Sequence, residues 1–248
     1  MINMIQLEFL KLKRKRMGLS ILLLLVAEFA WSLWAASSYT DTYNGWCYLL
    51  YQIPTLNTLL MPILIAILTS RLSNNEYKGN TFKLLNTVVH PQKLYSAKFI
   101  CSSSYLLCST LGQVLCMLLT SFLVNFTDPI PLKHMAIFIL TTMLVNLCML
   151  ALYQTLALLF ANQAIILIAG IAGGFIGLFA VFFPPVLQRF FLPCYYLLLD
   201  TILLTTHIET QTFSMRYDHL DLISTVIIVL VGIALYFIGQ KCFSKKEV

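Results

Sequence analysis

Charged residues are scarce in this chain. Asp, Glu, Lys and Arg make up 10% of its 248 residues, whereas hydrophobic residues make up 59%. Soluble domains carry about 25% charged residues, so the composition excludes a water-soluble domain of this size and predicts an integral membrane protein. The net charge of +6 does not indicate nucleic-acid binding, because the Lys and Arg residues stand in short blocks between apolar runs.

Motifs for nucleotide binding, hydrolysis and metal binding are also absent from the sequence. It contains no G-x-x-x-x-G-K-[ST] loop for nucleotide phosphates and no H-E-x-x-H or G-x-S-x-G motif. Its seven cysteines form no C-x-x-C pair, and a disulfide between Cys47 and Cys194 stays open. We therefore expect no enzymatic activity, no metal and no cofactor in this chain.

Six apolar segments are long enough to cross a membrane, for which about 20 residues suffice. They cover residues 18–38, 54–71, 99–124, 134–160, 164–183 and 221–239. The predicted fold is an all-α integral membrane protein with one domain over residues 1–248. The first segment is too long for a signal peptide and lacks a small-residue cleavage site, so we interpret it as a retained helix.

The basic residues predict the orientation of these spans. Thirteen Lys and Arg residues fall in the segments on the side of the N-terminus, and three fall in the remaining loops. Because cytoplasmic loops carry the excess of positive charge, both termini are expected in the cytoplasm.

The first sixteen residues have their own pattern. Ile2, Ile5, Phe9 and Leu12 recur at helical spacing and are followed by a basic cluster. This pattern is typical of a short helix that lies on the inner leaflet, although a basic anchor without a defined helix would also fit.

One ionisable residue lies near the middle of a predicted span. Glu28 interrupts the first apolar segment, where a carboxyl group is costly and therefore faces protein or water instead of lipid. It is either a polar feature of a substrate path or a buried carboxyl that is held by a neighbouring amide, such as Asn57, Gln113 or Asn146.

Glycines recur at four-residue spacing in the fifth span. Gly170 and Gly174 form one such pair, and Gly173 and Gly177 form the other. Small residues at this spacing allow close helix approach, either between two subunits or within one.

The longest polar stretch lies between the second and third spans. In it Glu76, Asn80 and Lys83 recur on one helical face, with Phe82 and Leu85 about half a turn away. This predicts a short surface helix that ends before Pro91, or a solvated connector that happens to be amphipathic.

Residues 184–220 follow the fifth span. Pro184 and Pro185 end that span, Pro193 interrupts the next run, and residues 194–206 are too short to cross. We expect a re-entrant or interfacial hairpin on the outer face.

Two stretches resemble the permease subunits of type-2 ABC exporters, in particular the lantibiotic-immunity group of mutacin, epidermin and nisin self-protection. They are "MIQLEFLKLKRKRM", residues 4–17, and "SNNEYKGNTFKLLNTVVHPQKLYSAK", residues 73–98. The resemblance implies an elbow helix over residues 1–16, an extracellular re-entrant helical hairpin within 184–220, and permease pairing through the first and fifth spans. It also implies that loop 73–90 carries a coupling helix that contacts the ATP-binding subunit. The contact residues would be Glu76, Tyr77, Lys78, Asn80, Phe82, Lys83 and Leu85.

The resemblance further implies a function. The chain would be a permease in a bacterial plasma membrane, paired with a second permease that is identical or related, with ATP and Mg²⁺ bound by the partner ATPase. The cargo would be an amphipathic peptide that is expelled from the membrane. The alternative is an ion-coupled carrier or the membrane domain of a sensor. A carrier should show internal repeats and several intramembrane ionisable groups, whereas this chain shows no repeat and Glu28 alone.

Overall fold

The computed structural model describes residues 2–14, 16–37, 45–78, 90–207 and 212–245. The helices are α1 (Ile2–Arg14), α2 (Met17–Ser37), α3 (Gly45–Lys78), α4 (Pro91–Val124), α5 (Leu132–Leu159), α6 (Gln163–Ala180), α7 (Pro185–Gln188), α8 (Tyr195–Leu198) and α9 (Leu222–Lys245). A single 3₁₀ turn covers Leu192–Cys194. Two strands, β1 (Ile202–His207) and β2 (Thr212–Tyr217), pair antiparallel with Ile202 opposite Tyr217.

Six of these helices are long and apolar enough to cross a membrane, which confirms the predicted number of spans. They are α2, α3, α4, α5, α6 and α9. Helix α4 corresponds to the third predicted span, and it begins at Pro91 instead of residue 99. Proline is favoured at the first helical position, where its missing N–H has no partner to lose, so Pro91 starts α4 as well as closing the preceding loop.

The third helix lies at the centre of the bundle. In an apolar stretch of 18 residues, 67% of α3 is buried within the chain, compared with 17% of α9 at the periphery. It packs against α6, α5 and α2, while α4 contacts α1, α2 and α5, and α5 contacts α9. The largest apolar core cluster includes Met61 and Ile65 of α3 and Met149 of α5.

The glycines of α6 face other helices of the same chain. A Cβ atom on Gly174 would lie 2.5 Å from the carbonyl oxygen of Leu59 in α3, and Gly170 and Gly177 also face α3. Gly173 faces the hydroxyl of Tyr153 in α5. Close packing within one subunit, the second of the two alternatives, therefore describes the contacts seen here.

The segment between α6 and α9 differs from the predicted helical hairpin. Helices α7 and α8 are four residues long each, and the rest of the segment contains the β1–β2 hairpin. The predicted helical membrane fold is confirmed by the six spans. The helical hairpin is not confirmed, because Pro193 prevents a continuous helix and β-branched residues follow it. The side chains of Tyr195, Tyr196 and Leu199 are nevertheless buried in the bundle.

The N-terminal segment forms a helix, as one of the two alternatives predicted. Helix α1 buries Leu12 and leaves Leu7 and Leu10 exposed. Arg16 has a left-handed backbone conformation (φ 52°) and separates α1 from α2. The position of α1 relative to a membrane stays a prediction.

Two further features of the sequence concern the cysteine pair and the predicted coupling loop. Cys47 and Cys194 are thiols that do not form a disulfide, and burial raises the pKa of Cys194 to about 11. Most of the predicted coupling loop, including Asn80, Phe82, Lys83 and Leu85, lies outside the described residues.

Candidate functional site

A layer of buried polar side chains crosses the middle of the bundle. We call it the polar layer and define it by side chains from five helices. They are Glu28 of α2, Asn57 of α3, Thr110 and Gln113 of α4, Asn146 of α5 and Tyr196 of α8. The first five are completely buried, and Tyr196 is 4% exposed.

The carboxyl group of Glu28 is held by a single amide. Gln113 Nε2 donates to both Glu28 oxygens, at 2.9 and 3.0 Å, and to Asn57 Oδ1 at 2.7 Å. The two protons of this amide therefore serve the carboxyl group and Asn57 together. Of the three amides that the sequence offered, Gln113 is the one in direct contact with Glu28.

A second branch of the polar layer starts at Asn146. The Tyr196 hydroxyl donates to Asn146 Oδ1 at 2.6 Å, and Asn146 Nδ2 donates to Thr110 Oγ1 at 3.3 Å. Thr110 lies three positions before Gln113 and hence on the same face of α4. The two branches thus meet at α4, which links α2, α3, α5 and α8.

Four buried serine hydroxyls on these helices lack a partner among the described residues, and two of them lie beside the polar layer. Ser32 lies one turn after Glu28 on α2, and Ser109 lies one turn before Gln113 on α4. Buried polar groups usually have a hydrogen-bond partner, so both hydroxyls offer bonding capacity beside the polar layer. The described structure closes this layer to solvent, and separation of the helices around it would expose a continuous polar surface.

A buried ion pair fixes α1 to α4. The carboxylate of Glu8 lies 3.2 Å from Nζ of Lys98 and 2.6 Å from Nζ of Lys11. Lys98 is completely buried and Glu8 is 2% exposed. Breaking such a pair by removing one partner typically costs about 3–5 kcal/mol, so this contact anchors α1 to the helix that follows the predicted coupling loop.

The hydropathy pattern predicts Lys98 in a loop, directly before the third span, and it indicates no role for Glu8. The early start of α4 moves Lys98 into the helix, where it meets an acid 90 positions away. The available signal was a single acid within a basic segment and a lysine directly before an apolar run. The sequence also gives no sign that Tyr196 reaches the bundle, because residues 194–206 are too short to form a span.

Polar contacts also tether segment 184–220 to the helices beside it. Arg189 Nη2 donates to Asp221 Oδ2 at 3.1 Å, and the Ser224 hydroxyl donates to the same oxygen at 2.6 Å. The hydrogen bond from Ser224 is the largest of the effects that lower the pKa of Asp221. The ring of His134 stacks on Tyr217 with centroids 4.1 Å apart, which joins the β-hairpin to α5.

Asp200 belongs to the same segment and lies two positions before β1. Its Oδ1 accepts the backbone N–H of Thr201 at 2.7 Å, while Oδ2 is buried and has no partner in the described part of the chain. Burial raises the pKa of Asp200 well above its ordinary value.

The predicted contact residues for the ATP-binding subunit fall only in part within the described residues. The backbone of α3 extends through Glu76, Tyr77 and Lys78, and the remaining contact residues lie beyond the part of the chain that is described. The loop thus connects the ends of α3 and α4.

Comparison with known proteins identifies the family of this chain. A sequence model of the family described as "ABC-2 family transporter protein" matches residues 4–181, which is more than half of the chain. No curated protein matches the chain significantly. Because the matched region holds five of the six membrane-spanning helices, the chain belongs to the ABC-2 transporter family and is a membrane-spanning permease subunit that works with an ATP-binding partner.

Proposed function

We propose that this permease expels an amphipathic, cationic peptide of the lantibiotic type from the membrane, with ATP hydrolysed on its partner subunit. In this proposal both termini and loop 73–90 face the cytoplasm of a bacterial cell. A second permease, identical or related, completes the path. The resemblance of residues 4–17 and 73–98 to immunity permeases supports the choice of cargo.

The observation that carries the proposal is the meeting of α3 and α4 at the polar layer. These two helices flank loop 73–90, and their side chains Asn57 and Gln113 share a 2.7 Å hydrogen bond. At 1.5 Å per residue, Asn57 lies about 32 Å along α3 from Lys78, and Gln113 lies about 33 Å along α4 from Pro91. The two helix segments between the loop and the polar layer are nearly equal in length, so a displacement of the loop acts on the Asn57–Gln113 contact through both helices.

The length of these helix segments also fits a partner in water. Half of the hydrocarbon core measures about 15 Å. If the polar layer lies near the middle of the membrane, α3 and α4 extend well beyond the membrane surface, even with a tilt of about 20°. Loop 73–90 is then accessible to a soluble ATP-binding subunit.

The proposed cycle follows from this geometry. Nucleotide binding closes the ATPase pair and moves the loop, α3 and α4 shift relative to each other, and the Asn57–Gln113 contact opens. The polar layer then becomes part of the transport path.

The acidic side chain within the polar layer supports a cationic cargo. Glu28 takes no part in the ion pairs formed by the described residues, which involve Glu8 and Asp221 instead. When the polar layer opens, the Glu28 carboxyl group ionises and attracts a Lys or Arg side chain of the peptide by Coulomb attraction.

The first experiment tests the coupling loop. Phe82 and Leu85 are both replaced by Asp, and the permease is purified with its ATPase. We expect loss of co-purification and of peptide-stimulated ATP hydrolysis. The control Thr87→Asp should retain both, because Thr87 lies four positions after Lys83 and continues the polar face of the predicted loop helix. Intact assembly and stimulation in the double variant would refute the assignment of the coupling helix.

The second experiment tests the cargo path. Glu28→Gln keeps the shape of the side chain and removes its charge, so it should reduce peptide export and resistance while leaving assembly with the ATPase intact. Asp128→Asn, at the outer end of the bundle, serves as a control for the loss of one carboxylate. Unchanged export by Glu28→Gln would remove Glu28 from the path.

A further inference from the structure

An apolar groove runs along the outer surface of the bundle between α4, α5 and α9. Its volume is about 390 Å³, within the range of small-molecule sites, and its walls are almost entirely apolar. The lining residues include Phe99 of α4, Leu144 and Leu147 of α5, and Ile233 and Phe237 of α9.

Gly232 opens the middle of this groove. It lines the groove itself, and the nearest atom to a Cβ placed there would be Cys148 Cβ, at an ordinary contact distance of 3.5 Å. The missing side chain therefore leaves space that the neighbouring helices do not fill. The glycines of α6 differ, since a Cβ on any of those four would lie less than 3 Å from another atom of the chain.

The length of the groove matches one leaflet of a bilayer. From Ile228 to Phe237 the groove follows α9 for about 14 Å, and half of the hydrocarbon core is about 15 Å thick. A groove of this length accommodates an extended acyl chain from a single leaflet.

Polar and basic residues continue the groove beyond its apolar part. Lys241 lies one turn after Phe237 on the same face of α9, about 6 Å further along the axis. Gln240 Nε2 lies 3.4 Å from the Ser96 hydroxyl and 3.5 Å from the Gln92 carbonyl, which brings the first turns of α4 beside α9. Lys93 follows Gln92 and is exposed, as is Lys241.

This end of the groove carries positive charge, and neither Lys93 nor Lys241 belongs to the ion pairs seen among the described residues. Residues 91–100 of α4 and 236–245 of α9 contain no Asp or Glu. Basic residues at a membrane surface attract anionic lipids, each contributing a roughly fivefold increase in affinity. A zwitterionic lipid gains little from this attraction.

We propose that the groove binds one acyl chain of an anionic phospholipid, whose head group is held by Lys93 and Lys241. The lipid belongs to the leaflet on the side of loop 73–90. It fills the gap between α4 and α9 and lies outside the polar layer. The site is independent of the cargo path and can be tested without the ATPase.

The test uses the full chain in lipid nanodiscs that contain phosphatidylglycerol with a photoreactive acyl chain. After illumination, labelled peptides are identified by mass spectrometry. We expect labelling of residues 228–237 from phosphatidylglycerol and much weaker labelling from photoreactive phosphatidylcholine at the same concentration.

Two sets of variants separate the apolar groove from the head-group site. Gly232→Leu fills the groove and should lower the labelling about tenfold through the lost apolar contact. Ala234→Leu adds comparable bulk at an exposed position of α9 that does not line the groove, and it should leave the labelling unchanged. Lys93→Gln with Lys241→Gln, at exposed positions that do not affect folding, should reduce phosphatidylglycerol labelling by roughly fivefold per lysine, towards the phosphatidylcholine level.

Three results would overturn the proposal. The first is equal labelling by the two lipids, and the second is full labelling of Gly232→Leu. The third is a disulfide between two copies that each carry Ile233→Cys, because a second copy of the chain would then cover the groove.

Discussion

The packing of α6 against α3 gives the sharpest test of the structure. Gly174→Ala adds one methyl group at a point where the two helices approach each other closely. In the structure this group would lie 2.5 Å from the backbone carbonyl oxygen of Leu59, whereas ordinary contact starts at 3.4 Å. The two helices must therefore separate locally by about 0.9 Å, since a backbone atom cannot rotate away as a side chain does.

The expected loss of stability follows from two opposing terms. Overpacking of this kind costs typically about 1–3 kcal/mol, while replacing a helical glycine by alanine gains up to about 1 kcal/mol. Gly232→Ala on α9 supplies the matched control, because its new Cβ would meet Cys148 at 3.5 Å. Both variants share the propensity gain, so their difference isolates the packing cost of about 1–3 kcal/mol.

The assay is thermal unfolding of the purified permease in detergent, followed by circular dichroism. At about 2–4 °C per kcal/mol for a chain of this size, Gly174→Ala should melt several degrees below Gly232→Ala. Size-exclusion chromatography on the same samples reports the oligomeric state.

Equal melting temperatures for the two variants would refute the described α3–α6 contact. If Gly174→Ala instead changed the oligomeric state at unchanged stability, the glycines would form a contact between subunits. The experiment thus decides between the two roles that the glycine spacing alone leaves open.

Three further predictions concern charged groups. Glu8→Gln removes the carboxylate beside buried Lys98 and should destabilise the protein by about 3–5 kcal/mol in the same unfolding assay, with most of the loss recovered by Glu8→Gln/Lys98→Met; an equally unstable double variant would contradict this. Because burial raises the pKa of Asp200, its ionisation costs stability as the pH rises through the folded-state pKa, so Asp200→Asn should raise the melting temperature at about pH 8 and have little effect near pH 4; a uniform effect at both pH values would be inconsistent. Because Ser224 and Arg189 lower the pKa of Asp221, this carboxylate stabilises the fold above about pH 3.9, and its contribution is lost as the pH falls through the lower folded-state pKa. The melting curves of wild type and Asp221→Asn should therefore converge in acid, and a constant difference down to low pH would argue against the ion pair.

Segment 184–220 shows where local sequence patterns were misleading. Residues 202–206 are rich in β-branched side chains, which favour strands, but the apolar run over residues 194–206 predicted a re-entrant or interfacial hairpin. Pairing with residues 212–217 is a contact between two short segments, and neither segment predicts its partner by itself.

The sequence by itself determined the class of the protein, its six spans and the absence of a nucleotide-binding motif. Hydropathy and motifs are properties of contiguous residues, so they can be read without knowledge of the packing. The sequence also showed that Glu28 needs a polar neighbour, because a carboxyl group in hydrocarbon is costly wherever the helix lies.

Only the tertiary structure decided which neighbours meet. It selected Gln113 from three amides for Glu28, joined Lys98 to Glu8, and turned three of the four α6 glycines towards α3. Helices such as α5 and α9 are apolar on all sides, so their sequences carry no stripe that marks the inward face. In a membrane bundle that choice depends on the fit between distant helices and on the few polar groups that must find partners across it.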